Sequence, residues 1–420
     1  MKPKKAAQIV SWLLMVSAIL LVLSYFGVVD KPLALPPDPG QYENTDSSAS
    51  EYKESLPAEN DTENDVTRLD ETAAQTEGTE LPDGSETDAA QEPLVFTNNN
   101  PDLLTTDGSQ LRVWAQESSL PEIGLTQVTG LTQLNYDKPL QGAVIILDPG
   151  HGGSDIGVSW QGESEEDTLL EKTINLQIAA KIQEELVNQG AEVHMTRATD
   201  EKHSYFYLMA YTADMLLQRY GKEVKQAGYD PEPLEPLRLL MQDVIRINSG
   251  TVDSGGRGIF NSIGTPPNLK LIYDIENRYK DTVFLSIHLE SSENAEDKGV
   301  RVRYMSNEYI QDMNNSYAAG TDALTHAPNY NACDSVQRER FATLLEDNIV
   351  KQDAGMKSNK KAVLEDDLAV LRLNNITSAQ LSCGFLSNEQ DRARLTGEKG
   401  QEAIARGVAN AILQYYSAAP

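Results

Sequence analysis

Two uninterrupted apolar runs, each ending near a histidine, constrain the fold of this chain more than any other feature. The stretch "VIILDPGHGGSDIG", residues 144–157, leads into His151 on a glycine-rich turn, and "TVFLSIH", residues 282–288, ends at His288. Strands that are apolar throughout are typical of parallel sheets covered by helices on both sides. Ligands of such sheets collect at the carboxyl ends of the strands, so both histidines are predicted to lie at one edge.

The remainder of residues 141–420 alternates between strand-like and helix-like patterns. Helices are predicted at about 171–189, 336–351 and 399–416, where apolar residues recur at helical spacing. Further strands are predicted at AEVHMTR, GVRVRYM, LAVLRL and AQLSCGF, which begin at residues 191, 299, 368 and 379. The predicted fold class is therefore α/β: a mostly parallel, twisted sheet of about six strands covered by helices on both faces.

A helical insertion is predicted at about 204–280, between the second and third strands. It contains two or three helices, with a break at the prolines of "DPEPLEP". Two interpretations remain open for it. It is either a lid or protein-binding surface near the strand ends, or an additional layer of scaffold.

The N-terminal residues indicate a membrane anchor. Residues 6–29 carry no charge and are long enough to cross a bilayer core of roughly 30 Å as a helix. Lys2, Lys4 and Lys5 precede them, which predicts a cytoplasmic tail at 1–5 and an extracytoplasmic location for the rest of the chain. A cleaved signal peptide is the alternative, but no A-x-A site follows the long segment. We therefore expect a single-pass protein of the cell membrane.

An acidic linker is predicted at 30–95. Asp and Glu far outnumber Lys and Arg there, and few apolar residues are available to bury, so the segment is expected to be disordered and extended. Residues 96–140 form a mixed segment that the sequence does not assign. The formal net charge of −29 argues against a nucleic-acid partner, because no basic surface is available to neutralise phosphates.

Glu171, in "LLEKTINL" at the start of the first helix, is a third candidate ligand beside His151 and His288. One carboxylate and two imidazoles leave a tetrahedral zinc with an open fourth position, which is the arrangement of catalytic zinc sites. Such a metal lowers the pKa of its bound water to about 7 and polarises a carbonyl, which suits amide hydrolysis. The wide spacing is not diagnostic, so two unrelated surface histidines remain the alternative.

A series of motifs over residues 143–416 resembles the zinc-dependent N-acetylmuramoyl-L-alanine amidases of the family-3 type, which act on bacterial cell walls. The motifs ILDPGHGGSDIG, EKTINLQIA, VHMTRATD, FLSIH, DLAVLR and CGFLSNEQD occur in this order. The resemblance implies hydrolysis of the amide between N-acetylmuramic acid and the first L-alanine of the stem peptide in peptidoglycan. It also implies that His151, Glu171 and His288 bind zinc.

Two positions depart from the family pattern. The family has a glutamate that acts as general base where this chain has Ser382, and usually an asparagine where it has Glu290. If the strand continues past His288, residues 288 and 290 share a face, so Glu290 is predicted to act as the substitute base. Two alternatives remain. The chain is a catalytically impaired homologue that binds peptidoglycan or regulates a partner hydrolase, or Glu290 is a neutral substitution.

Overall fold

The fold is given by a computed structural model that describes residues 137–164, 167–249, 259–260, 264–265, 267–319 and 332–417. The predicted tail, anchor and linker lie outside the described residues, as does almost all of segment 96–140. Within the described ranges, no helix is both long enough and apolar enough to span a membrane. The anchor at 6–29 therefore stays a prediction from the sequence.

A six-stranded sheet forms the centre of the domain, and a two-stranded ribbon lies beside it. The strands are β1 (Val144–Pro149), β2 (Ser159–Trp160), β3 (Leu169–Leu170), β4 (Glu192–Met195), β5 (Thr282–Glu290), β6 (Arg301–Tyr304), β7 (Val363–Glu365) and β8 (Thr377–Phe385). The order in the main sheet is β4-β1-β5-β8-β6-β7, and β2 pairs with β3. Strands β4, β1, β5 and β8 are parallel, whereas β6 is antiparallel to β8. The predicted α/β class with a mostly parallel sheet is confirmed.

Helices occupy most of the segments between these strands. They are α1 (Glu171–Asn188), α2 (Tyr205–Gln226), α3 (Glu235–Asn248), α4 (Pro267–Arg278), α5 (Asn307–Tyr317), α6 (Ser335–Gln352), α7 (Ala369–Arg372), α8 (Glu389–Thr396) and α9 (Glu398–Ser417). Side chains cap several of them. The hydroxyl of Ser204, for example, accepts a hydrogen bond from the backbone N–H of Tyr207 and so satisfies a free donor at the start of α2.

Each face of the sheet is covered by its own helical layer. Leu147, Leu285 and Leu381 point to one face, where residues of α1, α6 and α9 pack over them. Ile146 and Phe284 alternate with these along the strands and point to the opposite face, under α2, α3 and α4. Both faces are therefore buried, which explains the uninterrupted apolar runs. The three helices within the predicted insertion, α2, α3 and α4, pack on the second face, and both interpretations of the insertion remain open.

The strand predicted at "LAVLRL" is wrong. Residues Ala369–Arg372 form the short helix α7, and every residue from 368 to 373 is buried. A short apolar run that is buried on all sides shows neither helical nor strand periodicity, so its sequence does not distinguish the two. The sixth strand of the sheet is β7, Val363–Glu365, which the sequence analysis missed together with α5 and α8.

Arg338 on α6 is fully buried and joins several elements through their backbone. Its guanidinium donates to the carbonyl oxygens of Met305, Leu371, Asn374 and Ile376 at distances between 2.8 and 3.2 Å. These residues follow β6, lie in α7 and precede β8. A buried guanidinium is stable only when its donors are satisfied, and here carbonyl groups satisfy them.

Substitution of Arg338 by methionine is expected to destabilise the protein by at least about 3 kcal/mol, because several buried carbonyl oxygens lose their donor at once. Urea unfolding of the purified protein measures the change. The control is Arg406→Met, since Arg406 is half-exposed and pairs with Glu402 on the same helix. That variant should change the unfolding free energy by less than about 0.5 kcal/mol. Equal losses in the two variants would contradict this role of Arg338.

Candidate metal centre

The turn after β1 presents His151 in an unusual backbone conformation. Gly150 donates its N–H to the carbonyl of Ile287 at 2.9 Å, and His151 follows with a φ of 64°, in the left-handed region that few residues other than glycine adopt. A Cβ atom at Gly150 would lie 2.2 Å from the ring of His288. Only glycine fits at this position, because the second histidine packs directly against the backbone of the turn.

Glu171 is the first residue of α1, and backbone donors fix its carboxylate. The N–H groups of Val158 and Leu289 each donate to one of its oxygens at 2.8 Å. A Cβ atom at Gly157 would lie 2.5 Å from Oε2 of Glu171, so a glycine is again required. The side chain is almost completely buried. These contacts attach the start of α1 to the end of β5 and place the carboxylate between the two histidines.

The structure brings His151, Glu171 and His288 together, and their candidate ligand atoms all lie within 4.8 Å of one another. Nε2 of His151 is 3.2 Å from Oε2 of Glu171, and Nδ1 of His288 is 3.2 Å from Oε1 of Glu171. Two ligands that are each about 2.0–2.1 Å from a tetrahedral zinc are about 3.3 Å apart. Both observed separations are close to this value, with Oε2 of Glu171 facing His151 and Oε1 facing His288.

A second carboxylate orients His151. Asp155 accepts a hydrogen bond from Nδ1 of His151 at 2.9 Å, and the backbone N–H of Gly157 donates to the same oxygen at 3.2 Å. A proton held on Nδ1 leaves Nε2 free to bind a metal beside Glu171, which is how carboxylates commonly orient metal-binding histidines. The sequence analysis missed Asp155, although its position four residues after His151 was visible.

The charges of the site favour a cation among these residues. Burial alone would lower the pKa of His151, but hydrogen bonds to Asp155 and Glu171 raise this pKa to about 10. Burial alone would raise the pKa of Glu171, but the two histidines hold it well below its usual range. A divalent ion bound by the three side chains would supply the positive charge that stabilises the Glu171 carboxylate. Two imidazole nitrogens and one carboxylate form a donor set that suits a divalent transition metal.

A buried arginine braces the turn that carries His151. The guanidinium of Arg197 donates to the carbonyl oxygens of Pro149 at 2.7 Å, Gly150 at 3.0 Å and Lys172 at 2.8 Å. These bonds hold the end of β1 against the first turn of α1, and so keep His151 close to Glu171. Arg197 is thus a structural support of the candidate centre.

Glu290 lies on the same side of the sheet as His288, but arginines bind its carboxylate. β5 continues to Glu290, and the intervening Leu289 points into the opposite core layer. Arg301 and Arg303 each donate to one carboxylate oxygen, at 2.8 and 2.7 Å. Although burial favours protonation, the two guanidinium groups hold the pKa of Glu290 below its usual range. Glu290 is not a member of the cluster of candidate metal ligands.

Ser382, which stands at the position of the family glutamate, neighbours the second histidine. It is the direct partner of His288 in the pairing of β5 with β8, so the two side chains project from the same face of the sheet. Its hydroxyl accepts a hydrogen bond from Arg303 at 2.8 Å. A guanidinium group therefore lies beside position 382.

Comparisons with known proteins identify one matching family. The sequence matches the family described as N-acetylmuramoyl-L-alanine amidase over residues 145–414. A stretch of 63 residues is 48% identical to the "Probable cell wall amidase LytH" of Staphylococcus aureus, covering 15% of this chain and only 21% of that relative.

Similar solved structures include an N-acetylmuramoyl-L-alanine amidase from Clostridium difficile 630, with 20% identity and a TM-score of 0.39. They also include the CwlD amidase of Clostridioides difficile in complex with the GerS lipoprotein, with 23% identity and a TM-score of 0.38. Each similarity covers 66% of this chain and 98% of the other.

The fold and the site together define an α/β protein with a buried His–Glu–His cluster at the carboxyl edge of its sheet, where a divalent metal can be held. The family match spans more than half of the chain. This chain belongs to the N-acetylmuramoyl-L-alanine amidase family. The family resemblance of the sequence motifs is confirmed.

Substitution of a candidate ligand should greatly weaken metal binding. We expect Glu171→Gln and His288→Ala to weaken the binding of Zn²⁺ by more than about 100-fold, and Asp155→Asn to weaken it by about 10- to 100-fold because it acts through His151. Competition with a chromophoric chelator measures the affinity. His194→Ala is the matched control, since His194 pairs with Glu192 on the edge strand β4. Equal affinity in the Glu171 variant and in this control would exclude the site.

Proposed function

We propose that this protein is a zinc-dependent amidase that hydrolyses the bond between N-acetylmuramic acid and L-alanine in peptidoglycan. The observation that carries the proposal is the convergence of His151, Glu171 and His288 within a chain of this family. A bound zinc at such a site would activate water and polarise the scissile carbonyl. The open fourth position of a three-ligand site is what this chemistry requires.

The residues of this chain have separate roles in the proposal. His151, Glu171 and His288 hold the zinc, and Asp155 keeps the ring of His151 in the tautomer that presents Nε2. Glu290 is the proposed general base, because it is the carboxylate that extends the same face of β5 beyond His288. Its ion pairs with two arginines make it a weak base, and a general base works best when its pKa is near the working pH. We therefore infer slow hydrolysis.

The residues at positions 382 and 290 also support a second candidate function. Ser382 has no acid–base capacity at neutral pH, and both oxygens of Glu290 are bound by arginine. A site of this composition suits a catalytically impaired amidase homologue that holds zinc and binds peptidoglycan, or that regulates a partner hydrolase. Such a partner would use the helical insertion, whose helix α3 exposes Leu239 and Ile247.

The proposed cellular arrangement follows from the N-terminal sequence. Residues 6–29 would anchor the protein in the cell membrane with residues 1–5 in the cytoplasm, and the acidic linker 30–95 would carry the domain into the peptidoglycan layer. A flexible, charged chain of this kind self-repels and extends, so it allows the domain to reach substrate away from the membrane surface.

Two variants decide between the active and the impaired protein. If Glu290 is the base, Glu290→Gln should lower the release of stem peptide from a purified muropeptide by about 10²-fold or more, with the zinc content unchanged. Glu293→Gln is the matched control, because Glu293 is exposed three residues further along the chain. Unchanged activity of Glu290→Gln would remove Glu290 as the base. A wild-type protein that is inert, combined with cleavage by Ser382→Glu, would establish the impaired homologue.

The anchor predicts where the protein is found. Cell fractionation should recover the intact protein in membranes, and protease added from outside should release a soluble domain by cutting within the linker at 30–95, which is expected to lack compact structure. A soluble mature form that begins near residue 30 would contradict the anchor and indicate a cleaved signal peptide.

A further inference from the structure

We propose that Arg303 is a positioning residue that holds the Glu290 carboxylate beside position 382, so that the base of this amidase is delivered from β5 instead of β8. The inference rests on the proposed function, and it explains the two departures from the family pattern as one coupled change. Four side chains form this group, which we call the Arg303 cluster: Glu290, Arg303, Ser382 and Asp366.

The strand pairings place the cluster next to the candidate metal centre. Ser382 on β8 is the direct partner of His288 on β5 and of Arg301 on β6. Val302 and Leu381 pack in the core layer on the opposite face, so Arg301 and Arg303 project to the face that carries His288. Strand order alone therefore brings the arginine side chains of β6 towards the metal-binding histidine of β5.

One nitrogen atom of Arg303 joins the two altered positions. Nη1 of Arg303 donates to Oε1 of Glu290 at 2.7 Å and to the hydroxyl oxygen of Ser382 at 2.8 Å. Because both acceptors bind the same nitrogen, the Glu290 carboxylate and the Ser382 hydroxyl are close neighbours. The Glu290 carboxylate thus comes near position 382 from the adjacent strand.

Further contacts fix the arginine itself. Nε of Arg303 donates to Asp366 at 3.0 Å, which holds the guanidinium from the side of the loop after β7. Arg301 binds only the other oxygen of Glu290, at 2.8 Å, and a backbone carbonyl, that of Lys361. Arg301 thus neutralises charge on Glu290 without touching Ser382. Arg303 alone of the two connects Glu290 with position 382, and it is the residue that sets where the carboxylate lies.

Burial of the pair favours a role in placement over a role in stability. The side chains of Arg303 and Glu290 are only 4% and 5% exposed. A buried ion pair gains little net stability relative to apolar side chains of similar size, because both charges lose their hydration. Its geometry, in contrast, is tightly specified, because a planar guanidinium binds two or more acceptors in fixed directions.

The small side chain of Ser382 also suits the placement of the Glu290 carboxylate beside Arg303. A glutamate at this position would bring a second carboxylate to the nitrogen that already binds Glu290, and like charges in one buried place repel. Serine leaves room for the Glu290 carboxylate and contributes a neutral acceptor to the guanidinium. Arg303 and Ser382 together therefore suit a base that is carried by β5.

The test compares matched variants of the two arginines in the zinc-loaded protein. Arg303→Lys keeps the charge but lacks the fork that reaches Glu290, Ser382 and Asp366 together, so kcat for muropeptide cleavage should fall by about 10-fold, with KM and zinc content unchanged. Arg303→Met should lower kcat by about 10²-fold, because misplacement of a catalytic group by about 1 Å has this effect. Arg301→Lys should lower kcat by less than Arg303→Lys does, since Arg301 binds the other oxygen of Glu290 and does not contact Ser382.

A graded loss of kcat, in which Arg303→Lys lies between the wild type and Arg303→Met, supports a positioning role for Arg303. Equal kcat values in Arg303→Lys and Arg301→Lys overturn it, as does a fall in kcat that only follows a loss of bound zinc. If Arg303→Met does not fold, the comparison of kcat between Arg303→Lys and Arg301→Lys still tests the positioning role.

A spectroscopic readout separates this inference from the proposed function. In the protein loaded with Co²⁺, the visible spectrum reports the ligands and the hydrogen bonding of solvent at the metal. A change of this spectrum in Arg303→Lys but not in Arg301→Lys supports a link between the Arg303 cluster and the metal site, even if the wild-type protein proves inert. Identical spectra in both variants and in the wild type overturn this link. An inert wild-type protein by itself overturns only the amidase activity.

Discussion

The carboxylate of Glu171 is the interaction on which the candidate centre depends. It is almost completely buried, and a buried carboxylate is stable only if hydrogen bonds and positive charge replace its hydration. The N–H groups of Val158 and Leu289 and the rings of both histidines provide this replacement. These partners come from the segment before β2, the turn after β1 and the end of β5. The carboxylate therefore determines how three separate parts of the chain meet.

The same requirement explains why glycines surround the site. Gly150 and Gly157 leave the space that the ring of His288 and the carboxylate of Glu171 occupy, and a Cβ at either position would overlap with these ligands. The left-handed conformation of His151 is held in place by hydrogen bonds from Arg197 to the carbonyl oxygens on its N-terminal side. Strain of this kind persists only where the surrounding structure fixes it. The glycine-rich motif is thus a consequence of close packing between the candidate ligands.

Much of this architecture was predictable from the sequence, and the failures have physical causes. Uninterrupted apolar runs predicted β1 and β5 correctly, because both faces of these strands are buried. The apolar run at 368–373 contains a helix instead. A run that is apolar throughout shows neither helical nor strand periodicity, so its sequence does not distinguish the two. The alternation in "GVRVRYM" predicted β6 but gave no information on the surroundings of its arginines. Arg303 is buried, and a cross-strand network with Glu290 and Ser382 satisfies its guanidinium. Such networks depend on strand order, which the local pattern does not contain.

The family pattern has its glutamate on β8, at position 382, whereas this chain has both the candidate ligand His288 and the carboxylate of Glu290 on β5. The three candidate ligands lie on the β1 turn, α1 and β5, and Asp155, which supports one of them, lies in the same turn. Position 382 lies on β8 and contacts none of these side chains through a hydrogen bond within the described residues. The serine at position 382 therefore leaves the hydrogen bonds of the candidate metal ligands unchanged. Since Arg303 links Ser382 to Glu290, the two departures from the family pattern meet at one guanidinium group.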